Sequence, residues 1–151
     1  MAFNWYSYGQ DKAVVGMKAD STIDVIDSFA AEGTVYAGQV VERGTDPATQ
    51  VAASTTAANV IGIAIFENKA QFAWEAPGTP IDYPEGYAVP VCTFGDVWVE
   101  VIDDVVAGAG VYIDTDGKFT NEDDADGTAV TGMTYMTSAG ANELAVVRVR
   151  L

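Results

Sequence analysis

Hydrophobic and polar residues alternate along much of this chain with a period of two, the spacing of a strand that turns one face to a core and the other to water. After Gly95, Val97, Val99 and Val101 fall on one face, while Trp98, Glu100 and Ile102 fall on the other. A polar break at Asp103 and Asp104 ends that strand, and a second begins at residue 111. Asp116-Gly117 suits a two-residue turn with positive φ, which predicts a hairpin folding residues 111–115 back onto 118–122. The same pattern predicts short strands at 34–37 and 39–43 around Gly38, at 50–53, at 60–66, at 89–94, at 129–136 and at 143–151. Gly62 interrupts a buried run and predicts a bulge or a close backbone approach.

No stretch reads as a convincing helix. Ser21 or Thr22 could cap one over 20–29, but Ile23, Val25 and Ile26 are β-branched and Leu, Lys and Arg are missing there, which favours extended chain. Asp46-Pro47 opens a surface excursion around the strand at 50–53, and residues 69–74 read as a strand edge. Pro77, Pro80, Pro84 and Pro90 exclude a central strand or helix over 76–85, leaving a stiff extended loop. The fold class is therefore all-β, a jelly-roll-like sandwich or barrel of short antiparallel strands with little helix. Residues 1–12 form an aromatic N-terminal arm and 13–151 a single β-domain, with room for a small N-terminal β-subdomain before about residue 60. In the arm, Phe3, Trp5, Tyr6 and Tyr8 are the candidate partner-interface residues: they either bury at home along an alternating strand or pack on a neighbouring subunit.

Composition narrows the chemistry. A chain of 151 residues is the size of one domain and needs no metal or disulfide staple. Its 22 acidic against 7 basic residues give a net charge of −15, which repels phosphate backbones and anionic lipid, so nucleic acid and membrane are not expected partners. Histidine is absent and the single cysteine, Cys92, lies in the apolar run 88–94, where a small buried hydrophobe is the better reading than a reactive thiol. Without histidine there is neither a Ser-His or Cys-His nucleophile pair nor an ordinary zinc site. Carboxylate pairs such as Asp96 with Glu100, or Asp103 with Asp104, are unavoidable among 22 acids. Gly108-Ala109-Gly110 leads into a strand and suits a tight turn, not a phosphate cradle. No catalytic residue and no cofactor are expected.

Asp114, Asp116, Glu122, Asp123, Asp124 and Asp126 lie within thirteen positions, yet counting from Asp114 puts Gly117 fourth and Lys118 fifth, against a calcium-loop template that wants glycine sixth. A hairpin turn followed by a solvated acidic loop accounts for them without a metal. The opening residues 1–9 lack a basic leader and an apolar core, so a soluble protein made in a cytoplasm is expected. Trp5, Trp74 and Trp98 keep a carbohydrate-binding β-sandwich open as an alternative, with Trp98 either a buried second face or an exposed platform.

One resemblance spans most of the chain. The order Val15-Gly16-Met17-Lys18-Ala19-Asp20-Ser21, Asp27-Ser28, Val35-Tyr36-Ala37-Gly38-Gln39-Val40-Val41 and Val60-Ile61-Gly62-Ile63-Ala64 resembles the phage cement proteins that decorate tailed-phage capsids. Gly86-Tyr87-Ala88-Val89-Pro90-Val91, Gly95-Asp96-Val97-Trp98-Val99-Glu100-Val101, Gly110-Val111-Tyr112-Ile113-Asp114 and the close at 144–151 are similar to the same family's second half. The aromatic arm and the proline loop fall outside the likeness. The resemblance implies a jelly-roll-like body on the outer surface of the virion capsid and self-association as a homodimer or homotrimer. It also implies contact with the major capsid protein that bridges neighbouring capsomers of the mature head. A carbohydrate-binding module or head-surface adhesin is the alternative.

Overall fold

The computed structural model describes residues 13–20, 23–66 and 81–151. Its strands are β1 (Val25–Ala31), β2 (Val35–Tyr36), β3 (Val40–Arg43), β4 (Gln50–Ala53), β5 (Gly62–Ala64), β6 (Asp82–Tyr83), β7 (Ala88–Glu100), β8 (Gly110–Ile113), β9 (Phe119–Thr120), β10 (Thr128–Tyr135) and β11 (Leu144–Arg150). Among the described residues the only helical piece is one 3-10 turn at Ala57–Asn59. The all-β class expected from the alternation is what forms. The aromatic arm, the capping candidates Ser21 and Thr22, and the edge expected at 69–74 lie outside the described residues.

Strand β7, thirteen residues long, joins two bodies. Its first half pairs with β1 on one side and β5 on the other, and the order β1-β4-β3-β5-β7 returns to β1, closing a small barrel. Its second half pairs with β11, and the order continues β11-β10-β8-β9. That sheet curls until Phe119 meets Val101, just beyond the end of β7. The short β2 and β6 make a separate two-stranded ribbon. Among the described residues one pairing between strands is parallel, β1 with β4, spanning only Ala30↔Gln50 and Ala31↔Val51, and the isolated Val101–Phe119 bridge is parallel as well.

Two apolar cores follow. The smaller, inside the barrel, holds Val35, Val41, Val51, Ala64, Tyr83, Val89 and Val91. The larger holds Val97, Val99, Val101, Val111, Ile113, Met133, Tyr135, Val147 and Val149 together with Val40, Ile63 and Cys92. Neighbouring residues on β3, β5 and β7 thus point into different cores: Val40 and Val41, Ile63 and Ala64, Cys92 and Val91. These strands are the wall between the cores and are apolar on both faces, which is why their sequence reads as continuous runs with no alternation.

On β7 the larger core takes Cys92 in the first half but Val97 and Val99 in the second, a change from even to odd positions. An extra residue explains it. Val25 pairs with Phe94 and Ile26 with Cys92, so Thr93 is bulged out of the β1 ladder, and one extra residue turns every later side chain to the opposite face. Gly62 makes the close approach expected of it: a Cβ there would lie 2.5 Å from the Cys92 carbonyl oxygen.

Two local expectations are corrected. The β8–β9 connection is a three-residue loop, because Asp114 N–H donates to Lys118 O and only Gly117 has positive φ (77°). The Asp114 carboxylate selects this form by accepting from the N–H groups of Asp116 and Lys118. The proline-rich loop is not wholly laid over the body, since Asp82–Tyr83 pairs with β2 and Tyr83 is fully buried, donating its hydroxyl to Ile65 O at 2.7 Å. Pro90 is accommodated inside β7 because its carbonyl accepts from Ile65 N–H, so its missing donor falls on the β5 side, beyond the last residue of β5, and the β1 ladder loses nothing.

Candidate assembly interface

The outer face of the larger sheet is set by the β7–β11 register. Leu144 stands opposite Glu100, Val146 opposite Trp98, Arg148 opposite Asp96 and Arg150 opposite Phe94. Arg148 grips Asp96 with two parallel bonds, Nε to Oδ1 and Nη2 to Oδ2, each 2.8 Å. Those bonds hold the Arg148 guanidinium above its ordinary pKa. Asp96, which the sequence offered as half of a carboxylate pair with Glu100, is therefore a structural anchor for its cross-strand neighbour. An open cleft of about 500 Å³ lies here, lined by Ile23, Phe94, Asp96, Arg148 and Arg150.

Trp98 is half-buried on this face. Its main chain is also bonded on the side away from β11: Trp98 N–H donates to Met17 O and Gly16 N–H donates to Trp98 O. Residues 16–19 thus cover that edge of β7, helped by the pairing of Lys18 with Asp24.

A second surface is the outer edge of β1. Ala30 N–H donates to Thr49 O and Glu32 N–H to Val51 O, whereas Ala31 N–H donates to Tyr87 O. Even-numbered residues of β1 therefore aim their backbone groups away from β7, and odd-numbered ones toward it. Because β4 pairs only with Ala30 and Ala31, the N–H and C=O of Ile26 and Ser28 meet no described strand. The flanking side chains are apolar and open: Ile23 is 84% exposed, Val25 47% and Ile26 39%. The sequence marked Ile23, Val25 and Ile26 as strand-forming but carried no sign that no described strand pairs with their edge, because edge position depends on which strands fail to pair.

Asp103, Asp104, Asp114 and Asp124 are tied into turns and loops. Thr120 Oγ1 lies 2.9 Å from Asp103 Oδ2 and 3.0 Å from Asp124 Oδ2. Asp104 Oδ1 accepts from Ala141 N–H, and Asp124 Oδ1 from Asp126 N–H. Asp103 and Asp104 thus fasten separate loops and do not converge on one point. Among the described residues no cluster of acidic or thiol groups has metal-holding geometry. Cys92 is buried in the wall between the cores, and burial pushes its thiol pKa up, the opposite of what activates a nucleophile. Phe3, Trp5, Tyr6 and Tyr8 lie outside the described residues.

The sequence matches the profile of the structural cement protein family (E217 gp24/Pam3 gp6) over residues 3–150. The chain belongs to this phage structural cement family. Two solved structures have a fold similar to the one seen here. "The capsid of Myoviridae Phage XM1" includes a chain with 20% identity and a TM-score of 0.66, covering 99% of this chain and 98% of that one. The head fiber gp8.5 N base of bacteriophage phi29 has 14% identity and a TM-score of 0.56, covering 84% of this chain and 94% of that one. A search of curated proteins finds no match. Family membership makes this a structural, capsid-associated component of a phage particle. No helix among the described residues is long and apolar enough to cross a membrane.

Proposed function

We propose that this cement-family chain is a capsid decoration protein, made in the host cytoplasm, that binds the outer surface of the mature head and bridges neighbouring capsomers. The family match across residues 3–150 carries the reading. Physical features agree with it: a rigid double-cored β-body, a strongly acidic surface, and apolar side chains left open on one strand edge and one sheet face. Bonds that form across capsomer boundaries only in the mature lattice stabilise that lattice by linkage, since the ligand binds one state of the shell and not the other. The major capsid protein is the partner, and self-association as a homodimer or homotrimer multiplies weak contacts into stable occupancy.

The test is reconstitution. Purified chain is added to mature shells lacking it and to immature shells, then sedimented and heated. Saturable binding to mature shells and a higher disruption temperature are expected; equal binding to both forms, or none, would overturn the reading. The aromatic arm enters as a docking element, with Phe3, Trp5, Tyr6 and Tyr8 as rigid anchors of the kind that dominate interface energies. Deleting residues 1–9 is expected to lower shell occupancy or dissociate the oligomer. If both stay unchanged, the arm has no such role.

A further inference from the structure

We propose that the edge of β1 at Ile26 and Ser28, which no described strand covers, receives an extended segment of the capsid partner as an added strand, with a Lys or Arg of that segment facing Asp27. This deepens the decoration reading above and rests on it. Unpaired strand edges are a liability in folded proteins because each offers a row of unmade hydrogen bonds to any extended chain, and they are normally shortened, charged or covered. The adjoining edge of β7 is covered in this way by residues 16–19. Among the described residues nothing covers the β1 edge: the N–H and C=O groups of Ile26 and Ser28 point outward, and the barrel seam closes with β4 only beyond them, at Ala30 and Ala31. Open apolar side chains at Ile23, Val25 and Ile26 flank those groups, so an added strand gains main-chain bonds and apolar contact together.

Charge selects the occupant. A second copy could use all four outward groups only by pairing Ile26 with Ser28 of the other copy in antiparallel register. That register sets Asp27 directly against Asp27, and like charges opposite each other in a ladder destabilise it. Asp46, exposed on the loop beside this edge, adds to the same potential. A cationic strand meets the opposite situation: Asp27 pairs with it, and the acidic body draws it in.

The variant Ile26→Pro removes an outward N–H and leaves the β7 ladder intact, since Ile26 does not donate to β7. Asp27→Lys reverses the selecting charge at an exposed position. In shell-binding assays, Ile26→Pro is expected to weaken binding about tenfold or more, and Asp27→Lys about three- to tenfold with a reduced salt sensitivity. Circular dichroism checks that each variant is folded. A folded Ile26→Pro that binds like the parent overturns the proposal. If that variant does not fold, hydrogen exchange on the parent decides: the Ile26 and Ser28 amides are expected to become protected on shells, with Asp27 and Phe29 protected throughout, and unchanged exchange at Ile26 and Ser28 overturns it. A parent that forms a dimer in solution which Ile26→Pro or Asp27→Lys dissociates would assign the edge to a second copy and overturn the cationic-partner assignment. A parent that binds no shell refutes the decoration reading itself, a different result from parent and Ile26→Pro binding alike.

Discussion

Tyr83 and Tyr135 each carry a phenol into an apolar core and end on a main-chain oxygen. Tyr83 donates to Ile65 O in the smaller core and Tyr135 to Thr120 O in the larger, each at 2.7 Å. Tyr135→Phe leaves the Thr120 carbonyl without that donor and is expected to cost about 1–3 kcal/mol in urea melts. A pH dependence accompanies it. Burial holds the Tyr135 phenol well above its ordinary pKa of 10.0, so once pH rises past that value the unfolded chain loses a proton that the folded one keeps. Stability contributed by the neutral phenol is complete below that pH and falls as pH climbs above it. Tyr135→Phe should flatten that part of the alkaline decline, while Cys92, raised in the same direction by burial, keeps its own decline starting nearer pH 9. An unchanged alkaline slope in the variant would show that Tyr135 does not cause it. Gly62→Ala is a sterner substitution. Its Cβ would sit 2.5 Å from the Cys92 carbonyl oxygen and 2.6 Å from Val91 Cγ1, in the wall where neither core can yield, and a loss of about 1–3 kcal/mol is expected from overpacking alone.

Among the elements, β7 shows what the sequence could and could not reveal. Alternation from Val97 to Val101 was readable because that half has one buried face and one half-open face. The first half was not, because Val91 and Cys92 enter different cores and period two gives no contrast when both faces are dry. The Thr93 bulge was invisible for a related reason: nothing about threonine marks it, and only the pairing with β1 creates it. Deleting Thr93 should therefore be far worse than truncating it. Thr93→Ala is expected to change stability by less than about 1 kcal/mol, since the side chain is only half-buried. The deletion sends Val97 and Val99 to the wrong face and should abolish cooperative unfolding. A deletion variant that still melts cooperatively would show that β7 can slip its register without penalty. The β8–β9 hairpin was legible as a hairpin but not in its length, because Asp-Gly serves two loop types and the choice depends on where the Asp114 carboxylate reaches. The bare β1 edge and the Arg148–Asp96 pair were the least legible parts of the candidate interface, since both depend on pairings between residues far apart in the chain.

For the whole molecule, the consequence of the shared wall is mechanical coupling. Strands β3, β5 and β7 present one face to each core, so neither core can open without exposing residues that bound the other. We expect one unfolding transition, despite two cores. Cys92 supplies a direct probe, being the only cysteine and buried in the wall. Its thiol labelling in urea should follow the loss of far-ultraviolet circular dichroism, with coincident midpoints. Core variants test the same point from either side. Val91→Ala in the smaller core and Val99→Ala in the larger are each expected to cost about 2–3 kcal/mol and to shift that single transition as a whole. If Val91→Ala instead splits the melt, with thiol labelling and part of the dichroism moving ahead of the rest, the barrel opens on its own and the wall does not couple the bodies. On the decoration role proposed above, a single transition would let load taken up at the β1 edge pass through β7 into the larger sheet without a weak joint between them.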